Sequence, residues 1–491
     1  MKISKTHLPK FNFLLGTLII FSAFFLFFQL GDNKLIEYDE GIYGVVSQNI
    51  LKTGDFLTLT WKDGNAWFDK GPFYFWLSAA SIKIFGQTAF AVRFFSAFFG
   101  YLSVFLVFLI GKRLFSERVG LISGFILASS TGYLYYARLG MLDVPTAFFI
   151  SFSLYFLIVG REHLINDKLK LSVVNYSIVA VAISGAFLLR GFVGLIGVVS
   201  FALFVLVFDG FKGVIKNIRQ IILPALIFFT LSAPWHVLMY LKHGDTFLTT
   251  YFGHQMFSRF AGTIEGKSAP RFWYLAVIRT QFRIWFVPLI PAFFLGIFQF
   301  IKNIIAKNKK EVSGLGLILI WATITFMVFT IANSKLIWYI LPIYPALSLL
   351  SAWFIEKAFT FATRMTFLPE VSLIVLVLSI SIFYNIRMWE RIKTEDFNNE
   401  AFGVIEAKNR IARNESLCCA DVGWSVCQFY ASPALAIDTK VSDLDAFLKT
   451  KCTYGIVSRE SLKSLKTTDV FNIVSELGDY LLLTSRKSDK I

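Results

Sequence analysis

Long apolar stretches, separated by short polar connections, run along the chain as far as about residue 385. A helix needs about 20 apolar residues to cross a bilayer. The eleven predicted spans are 11–30, 88–110, 119–136, 143–160, 172–189, 191–208, 220–240, 273–300, 313–331, 337–355 and 367–385. The two spans on either side of Arg190 have a second interpretation, a single re-entrant hairpin, which keeps the topology. The pattern predicts a mainly α polytopic membrane protein.

Two regions depart from this pattern. In the long connection 31–87, the aromatic-rich run 73–85 is too short to cross a bilayer and is typical of a helix that lies at the membrane interface. After residue 386, apolar runs shorten to strand length, as at 417–420, 454–457 and 480–483. We therefore predict a transmembrane domain over 1–385, with interfacial helices in 31–87, and a small extracytoplasmic α/β domain over 386–491.

Composition and charge agree with a membrane location. The chain is 56% hydrophobic and 16% charged, whereas soluble chains carry about 25% charged residues. Basic connections such as 112–118 and 161–170 alternate with acidic ones such as 31–87. Because cytoplasmic loops collect Lys and Arg, the net charge of +16 indicates topology and not a nucleic-acid partner. This places the N-terminus in the cytoplasm and the C-terminal domain outside.

All four cysteines, Cys418, Cys419, Cys427 and Cys452, lie in the C-terminal domain. A location outside the cytoplasm permits disulfides there. The sequence does not determine which cysteines pair.

The connection 31–87 carries the first candidate chemistry. Asp39 and Glu40 stand together just after the first span; they are interpreted as a general base or a metal ligand, with ordinary loop solvation as the alternative. Lys70 precedes the helix that Pro72 is expected to start. A cation near a helix N-terminus is unfavourable unless an anion is bound, which indicates a phosphate site. A Lys that snorkels toward water is the alternative.

Further ionisable residues fall on the same predicted side. Asp143 lies at the start of a span, where a charge is costly and usually functional, and Arg138 is its candidate partner. Lys70, Arg259 and Lys335 would hold a phosphate. The side chains expected to support the site are Asp69, Arg138, Tyr43 and His254. Acids and cations at lipid depth, without a nucleotide-binding motif, favour a lipid-phosphate substrate.

The set of motifs resembles the GT-C superfamily of integral-membrane glycosyltransferases, on the branch of the lipid A aminoarabinose transferase and the protein O-mannosyltransferases. The resembling segments are Tyr38–Gly44, Gly54–Phe56, Trp67–Trp76, Ala91–Arg93, Arg138–Pro145, Arg259–Gly262 and Lys335–Pro345. The resemblance implies that Asp39 is the catalytic carboxylate and that Glu40 belongs to the same motif. It implies that Asp143 is the second acidic residue of the catalytic set, which positions the acceptor or supports Asp39. It also implies that Lys70 and Arg259 bind the donor phosphate.

Two departures limit this resemblance. The aminoarabinose branch has an Arg three residues after its catalytic Asp, where this chain has Ile42, and its Glu-Lys-Pro pattern is here Asp69-Lys70-Gly71-Pro72. Because a cation near the base is lost, a strongly anionic acceptor such as lipid A phosphate is disfavoured, and the aminoarabinose activity is not carried over.

The resulting hypothesis is an inverting glycosyltransferase of a bacterial plasma membrane. It would move a sugar from a polyprenyl-phosphate donor to a lipid, glycan or protein hydroxyl at the outer face. Its partners are that donor, that acceptor and membrane lipids, without nucleic acid. The sequence requires no cofactor, and a divalent metal beside Asp39 and Glu40 stays open. The alternatives are a transporter or flippase of lipid-linked sugars, and a structural protein whose outer domain is the active part.

Overall fold

The computed structural model describes residues 8–218, 220–262, 268–306, 309–363, 370–394, 399–411, 415–432, 435–464 and 472–484. Its membrane part is helical, as predicted. The helices there are α1 (Leu8–Phe27), α2 (Asp39–Thr53), α3 (Phe73–Phe85), α4 (Ala89–Leu114), α5 (Glu117–Ser129), α6 (Thr131–Ala137), α7 (Asp143–Ile165), α8 (Leu169–Arg190), α9 (Ile196–Ile218), α10 (Ile222–His243), α11 (Asp245–Phe247), α12 (Arg259–Ala261), α13 (Trp273–Phe282), α14 (Phe286–Ile305), α15 (Lys309–Ile331), α16 (Tyr344–Thr363) and α17 (Glu370–Thr394).

Shorter helical turns join several of these helices. Leu248–Ser258 is a π-helix between α11 and α12. The 3₁₀ turns of the membrane part are Lys62–Gly64, Gly191–Leu195, Arg283–Trp285 and Ile337–Ile343.

Eight apolar helical segments in the described part of the chain are long enough to cross a membrane. They are Ala89–Leu114, Asp143–Ile165, Leu169–Ile218, Ile222–His243, Trp273–Ile305, Ser313–Ile331, Ile337–Thr363 and Ser372–Ile392. The predicted number of eleven spans is therefore not confirmed. The first predicted span gives a shorter apolar helix, Asn12–Phe27. The two predicted spans 172–189 and 191–208 fall in one continuous 50-residue segment, Leu169–Ile218, which includes Arg190.

The predicted span 119–136 is broken at Ser130. Ser130 has an extended backbone, with φ −69° and ψ 111°, and it ends α5 and precedes α6. The hydroxyls of Ser129 and Ser130 donate to the carbonyls of Phe125 and Ile126. The extended residue Ser130 therefore divides the apolar stretch into two helices.

The helices of the membrane part share one large apolar core around α4, α5, α7 and α16. Close approaches depend on small residues. Where α4 meets α5, a Cβ on Gly120 would lie 2.5 Å from the carbonyl oxygen of Phe108. Small residues of this kind are common where helices pack in membranes. The run 73–85 forms α3, a 13-residue helix too short to span, as predicted.

The C-terminal domain, defined here as the described residues from Asn399 to Thr484, is a small α/β unit. Its elements are α18 (Asn399–Arg410), β1 (Ser416–Ala420), α19 (Trp424–Ala431), β2 (Leu435–Thr439), α20 (Leu444–Thr450), β3 (Tyr454–Ser458), α21 (Arg459–Ser464), β4 (Asn472–Leu477) and β5 (Tyr480–Thr484). The sheet order is β2-β1-β3-β5-β4. The predicted boundary at 385/386 falls inside α17, which continues to Thr394.

Strand direction divides the sheet in two. β1 pairs in parallel with β2 and β3, whereas β5 pairs antiparallel with β3 and β4. The three predicted strands correspond to β1, β3 and β5, whose residues are mostly buried. β2 and β4 are the edge strands, and they carry exposed residues, so they lacked the apolar runs on which the prediction relied.

The cysteines of the C-terminal domain form two disulfides. Cys418 pairs with Cys452, and Cys419 pairs with Cys427. Because successive side chains of a strand point to opposite faces, the adjacent Cys418 and Cys419 of β1 secure the two sides of the sheet separately.

Candidate active site

Lys70 reaches the site because the chain passes very close to the end of α8. A Cβ on Gly71 would lie 2.0 Å from the carbonyl oxygen of Leu188, so a larger residue would collide with backbone. The tight passage brings Asp69 and Lys70 against Arg190, the last residue of α8. The requirement for glycine explains why the segment reads Lys-Gly-Pro.

A cavity of about 380 Å³ opens at this point. Its polar wall contains Asp69, Lys70, Arg190, Gln255, Arg259, Ser334 and Tyr339. The remaining wall is mainly apolar and includes Phe192, Val193, Ile196, Val199, Met256, Phe257, Ile324, Val328 and Phe329. The cavity thus joins a charged end to an apolar groove between α9 and α15.

The lining of the charged end contains three cations, Lys70, Arg190 and Arg259, and one acid, Asp69, whereas Asp143 and Asp39 lie near it outside the lining. Burial lowers the pKa of Lys70 below its ordinary value, and the nearby Arg259 lowers it further. The acids Asp69 and Asp39 counteract this pKa shift. Cations crowded in a water-poor cavity repel one another, so an anionic ligand would stabilise the arrangement.

Tyr339 connects two of the cations. The guanidinium of Arg190 lies over its ring, 4.4 Å from the centroid. Arg259 donates a 2.8 Å hydrogen bond from Nη1 to its hydroxyl. The phenol therefore holds both arginines at one end of the cavity.

Asp143 forms an ion pair with Arg190. Both side chains are buried, Asp143 to 2% exposure and Arg190 to 11%. The proposed partner of Asp143, Arg138, is elsewhere: its guanidinium donates to the carbonyls of Phe25, Leu26, Phe28 and Gln29 at the end of α1. The Arg138–Asp143 pair is therefore not formed, because Arg138 satisfies the free carbonyls of a helix C-terminus.

Sequence reasoning did not assign Arg190 to the site. It regarded this residue only as a break between two spans. The signal was nonetheless present, since an Arg within an apolar run at lipid depth needs a functional or structural partner. Tyr339 was included only as part of the longer segment Lys335–Pro345.

Asp39 is the first residue of α2 and is partly buried. Its charge acts on Lys70, Arg190 and Tyr43, so it lies near the charged end of the cavity, although it is not among the lining residues. Tyr43 follows one helical turn later, on the same face of α2. Burial raises the pKa of Tyr43 well above its ordinary value, and Asp39 raises it further, so the phenol stays protonated.

Glu40 lies apart from this group. Its carboxylate accepts from Nε and Nη2 of Arg93 at 2.7 and 2.8 Å. The backbone N–H groups of Gly140 and Ile36 donate to it at 2.7 and 2.9 Å. With 2% of its side chain exposed, Glu40 joins the first outside connection to α4 and to the segment before α7.

Two other predicted residues lie outside the cavity wall. Lys335 donates from Nζ to the carbonyl of Ala332 at 2.7 Å and is not among the lining residues. His254 is exposed, and its neighbour Gln255 lines the cavity instead. Gln255 donates to the carboxylate of Asp69 at 2.7 Å, which fixes Asp69 beside Lys70.

A shared metal site at Asp39 and Glu40 does not fit this geometry. Both oxygens of Glu40 already accept hydrogen bonds from Arg93 and from backbone amides. Over the described residues, no group of three His, Cys, Asp or Glu side chains has the spacing of a metal site.

Part of the chain is similar in sequence to known proteins. The family profile of dolichyl-phosphate-mannose-protein mannosyltransferases matches residues 69–238. A protein of Aquifex aeolicus is 28% identical over 332 residues, which are 67% of this chain and 62% of that protein. The undecaprenyl phosphate-alpha-4-amino-4-deoxy-L-arabinose arabinosyl transferase 2 of Pseudomonas fluorescens is 27% identical over 332 residues, 65% of this chain and 56% of that protein.

Solved structures show the same fold. The crystal structure of ArnT from Cupriavidus metallidurans bound to undecaprenyl phosphate has a TM-score of 0.75 at 18% identity, and the match covers 96% of this chain and 98% of that chain. The oligosaccharyltransferase AglB from Archaeoglobus fulgidus, in complex with an inhibitory peptide and a dolichol-phosphate, has a TM-score of 0.60 at 14% identity, covering 94% and 70%.

The sequence matches span roughly three fifths of the length of these two bacterial relatives. Apolar helices and relatives together identify an integral membrane protein of the bacterial type. The chain is thus similar in sequence to the dolichyl-phosphate-mannose-protein mannosyltransferases over residues 69–238, and it has the fold of ArnT.

Proposed function

We propose that the protein is a glycosyltransferase that takes its sugar from a polyprenyl-phosphate donor. One observation carries this proposal: a single cavity joins three partly buried cations to an apolar groove. A polyprenyl phosphate has the same two parts, an anionic head and a long apolar tail. Lys70, Arg190 and Arg259 would bind the phosphate, and the groove between α9 and α15 would hold the first isoprene units.

The acids beside the cations supply the remaining chemistry. Asp39 would accept the proton of the acceptor hydroxyl while the hydroxyl oxygen attacks the anomeric carbon. The bond between that carbon and the phosphate oxygen breaks, and its electron pair leaves with the polyprenyl phosphate. Lys70 and Arg259 would stabilise the negative charge that develops on the phosphate. Attack from the face opposite the phosphate inverts the anomeric centre.

Asp143 acts through Arg190 in this scheme. Their buried ion pair fixes the guanidinium at the cavity wall, where Tyr339 also holds it. Asp143 is therefore proposed as a positioning residue for the cation and not as a proton acceptor.

The reaction is proposed for the outer face of a bacterial plasma membrane. Two disulfides in the C-terminal domain support this orientation, because disulfides persist in oxidising compartments. The acidic first connection, which carries Asp39, contacts that domain, so both belong to one side. Undecaprenyl phosphate is the carrier expected there, and the acceptor is a hydroxyl of a lipid, glycan or protein.

Purified protein in vesicles, supplied with undecaprenyl phosphate that carries a radiolabelled sugar, provides the test. We expect the label to move to an acceptor from the same envelope, and Asp39→Asn to abolish transfer while the donor still binds. Asp245→Asn makes the same change at an exposed acid away from the cavity and is a matched control. Undiminished transfer by Asp39→Asn would remove Asp39 from the mechanism, and movement of intact donor between leaflets without cleavage would indicate a transporter.

A further inference from the structure

The C-terminal domain docks on the segment that carries Asp39. Glu37, two residues before Asp39, reaches the first turn of α19. Its carboxylate accepts from the hydroxyl of Ser425 at 2.7 Å and from the backbone N–H groups of Ser425 and Val426 at 3.3 and 3.2 Å. A carboxylate at a helix N-terminus satisfies free N–H groups and interacts favourably with the helix dipole.

α2 and α19 touch through glycines. A Cβ on Gly41 would lie 2.1 Å from Oγ of Ser425, and one on Gly44 would lie 3.1 Å from the ring of Phe429. Gly41 and Gly44 are three residues apart and therefore share a face of α2. Asp39 and Tyr43 share another face, toward the cavity. One side of α2 thus contacts the C-terminal domain while the other side supplies the candidate base.

The same domain fixes the chain before and after α2. The hydroxyl of Tyr430, on α19, accepts from the N–H of Leu35 at 2.8 Å. Gln87 donates to the carbonyl of Phe429. At a greater distance from Asp39, Lys62 forms a 2.6 Å ion pair with Asp438 in which both side chains are about one third exposed. The disulfide Cys419–Cys427 holds α19 itself on β1.

The residue between Glu37 and Asp39 shows why this anchoring matters. Tyr38 has φ +72° and ψ −132°, a conformation that side chains other than glycine rarely adopt. Its side chain is 77% exposed, so its own packing does not hold it there. Strained backbone persists where the surroundings fix it on both sides. Glu37 is fixed by α19, and on the other side Glu40 is fixed by Arg93.

We propose that Glu37 is a positioning residue through which the C-terminal domain orients the side chain of Asp39 toward the donor. The proposal rests on the function proposed above. It gives the C-terminal domain a part in turnover, although none of the described residues of that domain lines the cavity. Loss of the Glu37–α19 contact would let Tyr38 relax, and Asp39 would turn from its position. Donor binding would persist, because Lys70, Arg190 and Arg259 belong to other segments.

The test combines kinetics with hydrogen exchange on the full-length protein. We expect Glu37→Gln to lower kcat by up to about 100-fold, the cost of a misplacement of about 1 Å, with the KM for the donor unchanged. Exchange of the amides over 38–43 should rise. Ser425→Ala removes one hydrogen bond and should show a smaller effect in the same direction. Asp438→Asn breaks the exposed ion pair of the same interface and should leave both readouts unchanged.

The outcomes are separable. Glu37→Gln with the kcat and amide exchange of the wild type would overturn the proposal. Equal losses of kcat in Glu37→Gln and Asp438→Asn would also overturn it, because they would show that the whole interface supports activity and not Glu37 in particular. If Glu37→Gln fails to fold, Ser425→Ala decides by the same readouts. A wild type without transfer would contradict the proposed function, whereas the exchange over 38–43 would still decide whether Glu37 orders this segment.

Discussion

The ion pair of Glu40 and Arg93 gives a quantitative test of what Glu40 does. Glu40→Gln removes the charge and replaces one acceptor oxygen with an NH₂ group that would face donors. The carboxylate accepts four hydrogen bonds of 2.7–2.9 Å, two from Arg93 and two from backbone N–H groups. Glu40 and Arg93 are 2% and 4% exposed, so solvent cannot replace the lost partner.

The expected cost follows from this burial. Removal of one partner from a buried ion pair costs about 3–5 kcal/mol, because the remaining charge is left uncompensated. Arg93 also donates to the carbonyls of Leu30, Asn33 and Lys34, so the chain before α2 should loosen with it. We expect a fall of this size in the free energy of unfolding of Glu40→Gln, with activity falling in proportion to the folded fraction.

Denaturation by SDS in mixed micelles, followed by circular dichroism, measures this free energy. Glu162→Gln is the matched control: its ion pair with Arg113 is 43% and 31% exposed, and such surface pairs contribute about 0–1 kcal/mol. A Glu40→Gln protein that keeps its stability but loses transfer would refute the structural assignment and return Glu40 to the chemistry.

Three further predictions concern the cavity. Lys70→Arg should shift the alkaline loss of kcat/KM to higher pH. Burial lowers the pKa of Lys70, so the wild type loses this cation as pH rises through that lowered pKa, whereas a guanidinium stays charged. Identical pH profiles of the wild type and the variant would contradict this. Asp143→Asn should weaken binding of undecaprenyl phosphate by about 1.5–3 kcal/mol, measured by microscale thermophoresis, because Arg190 loses the ion pair that holds it at the cavity wall. Unchanged or tighter binding would contradict the positioning role of Asp143. Gly71→Ala should displace Lys70 and abolish donor binding in the same assay, because its Cβ would lie 2.0 Å from a backbone oxygen. The control Gly16→Ala, which has open space around it, should bind the donor normally. Equal binding by both variants would contradict the close approach of Gly71 to α8.

The sequence predicted the helices and strands that are marked by a local run of apolar residues. Apolar runs identified most of the membrane helices, because lipid requires about 20 apolar residues in each. The break at Ser130 was missed, since it lies within a continuous apolar run and hydropathy does not report backbone conformation. The edge strands β2 and β4 were missed for a related reason: their exposed residues do not form apolar runs.

The site was only partly predictable. Lys70 and Arg259 were identified and lie together in the cavity wall. Arg190 was not, because its partner Asp143 lies far away in sequence and is adjacent only after α7 and α8 pack. Asp39 and Glu40 were treated as one acidic pair. Successive residues of a helix do not face each other, so the pair separates into a residue at the cavity and a residue bound to Arg93.

Recognition of the phosphate by the cavity is the claim on which the account depends, and native mass spectrometry tests it directly. The measurement compares retention of undecaprenyl phosphate with retention of undecaprenol, which has the same tail and no phosphate. We predict that the wild type retains the phosphate far better, and that Lys70→Ala and Arg259→Ala retain both lipids equally poorly. Equal retention of the two lipids by the wild type, or an undiminished preference for the phosphate in both variants, would contradict the account.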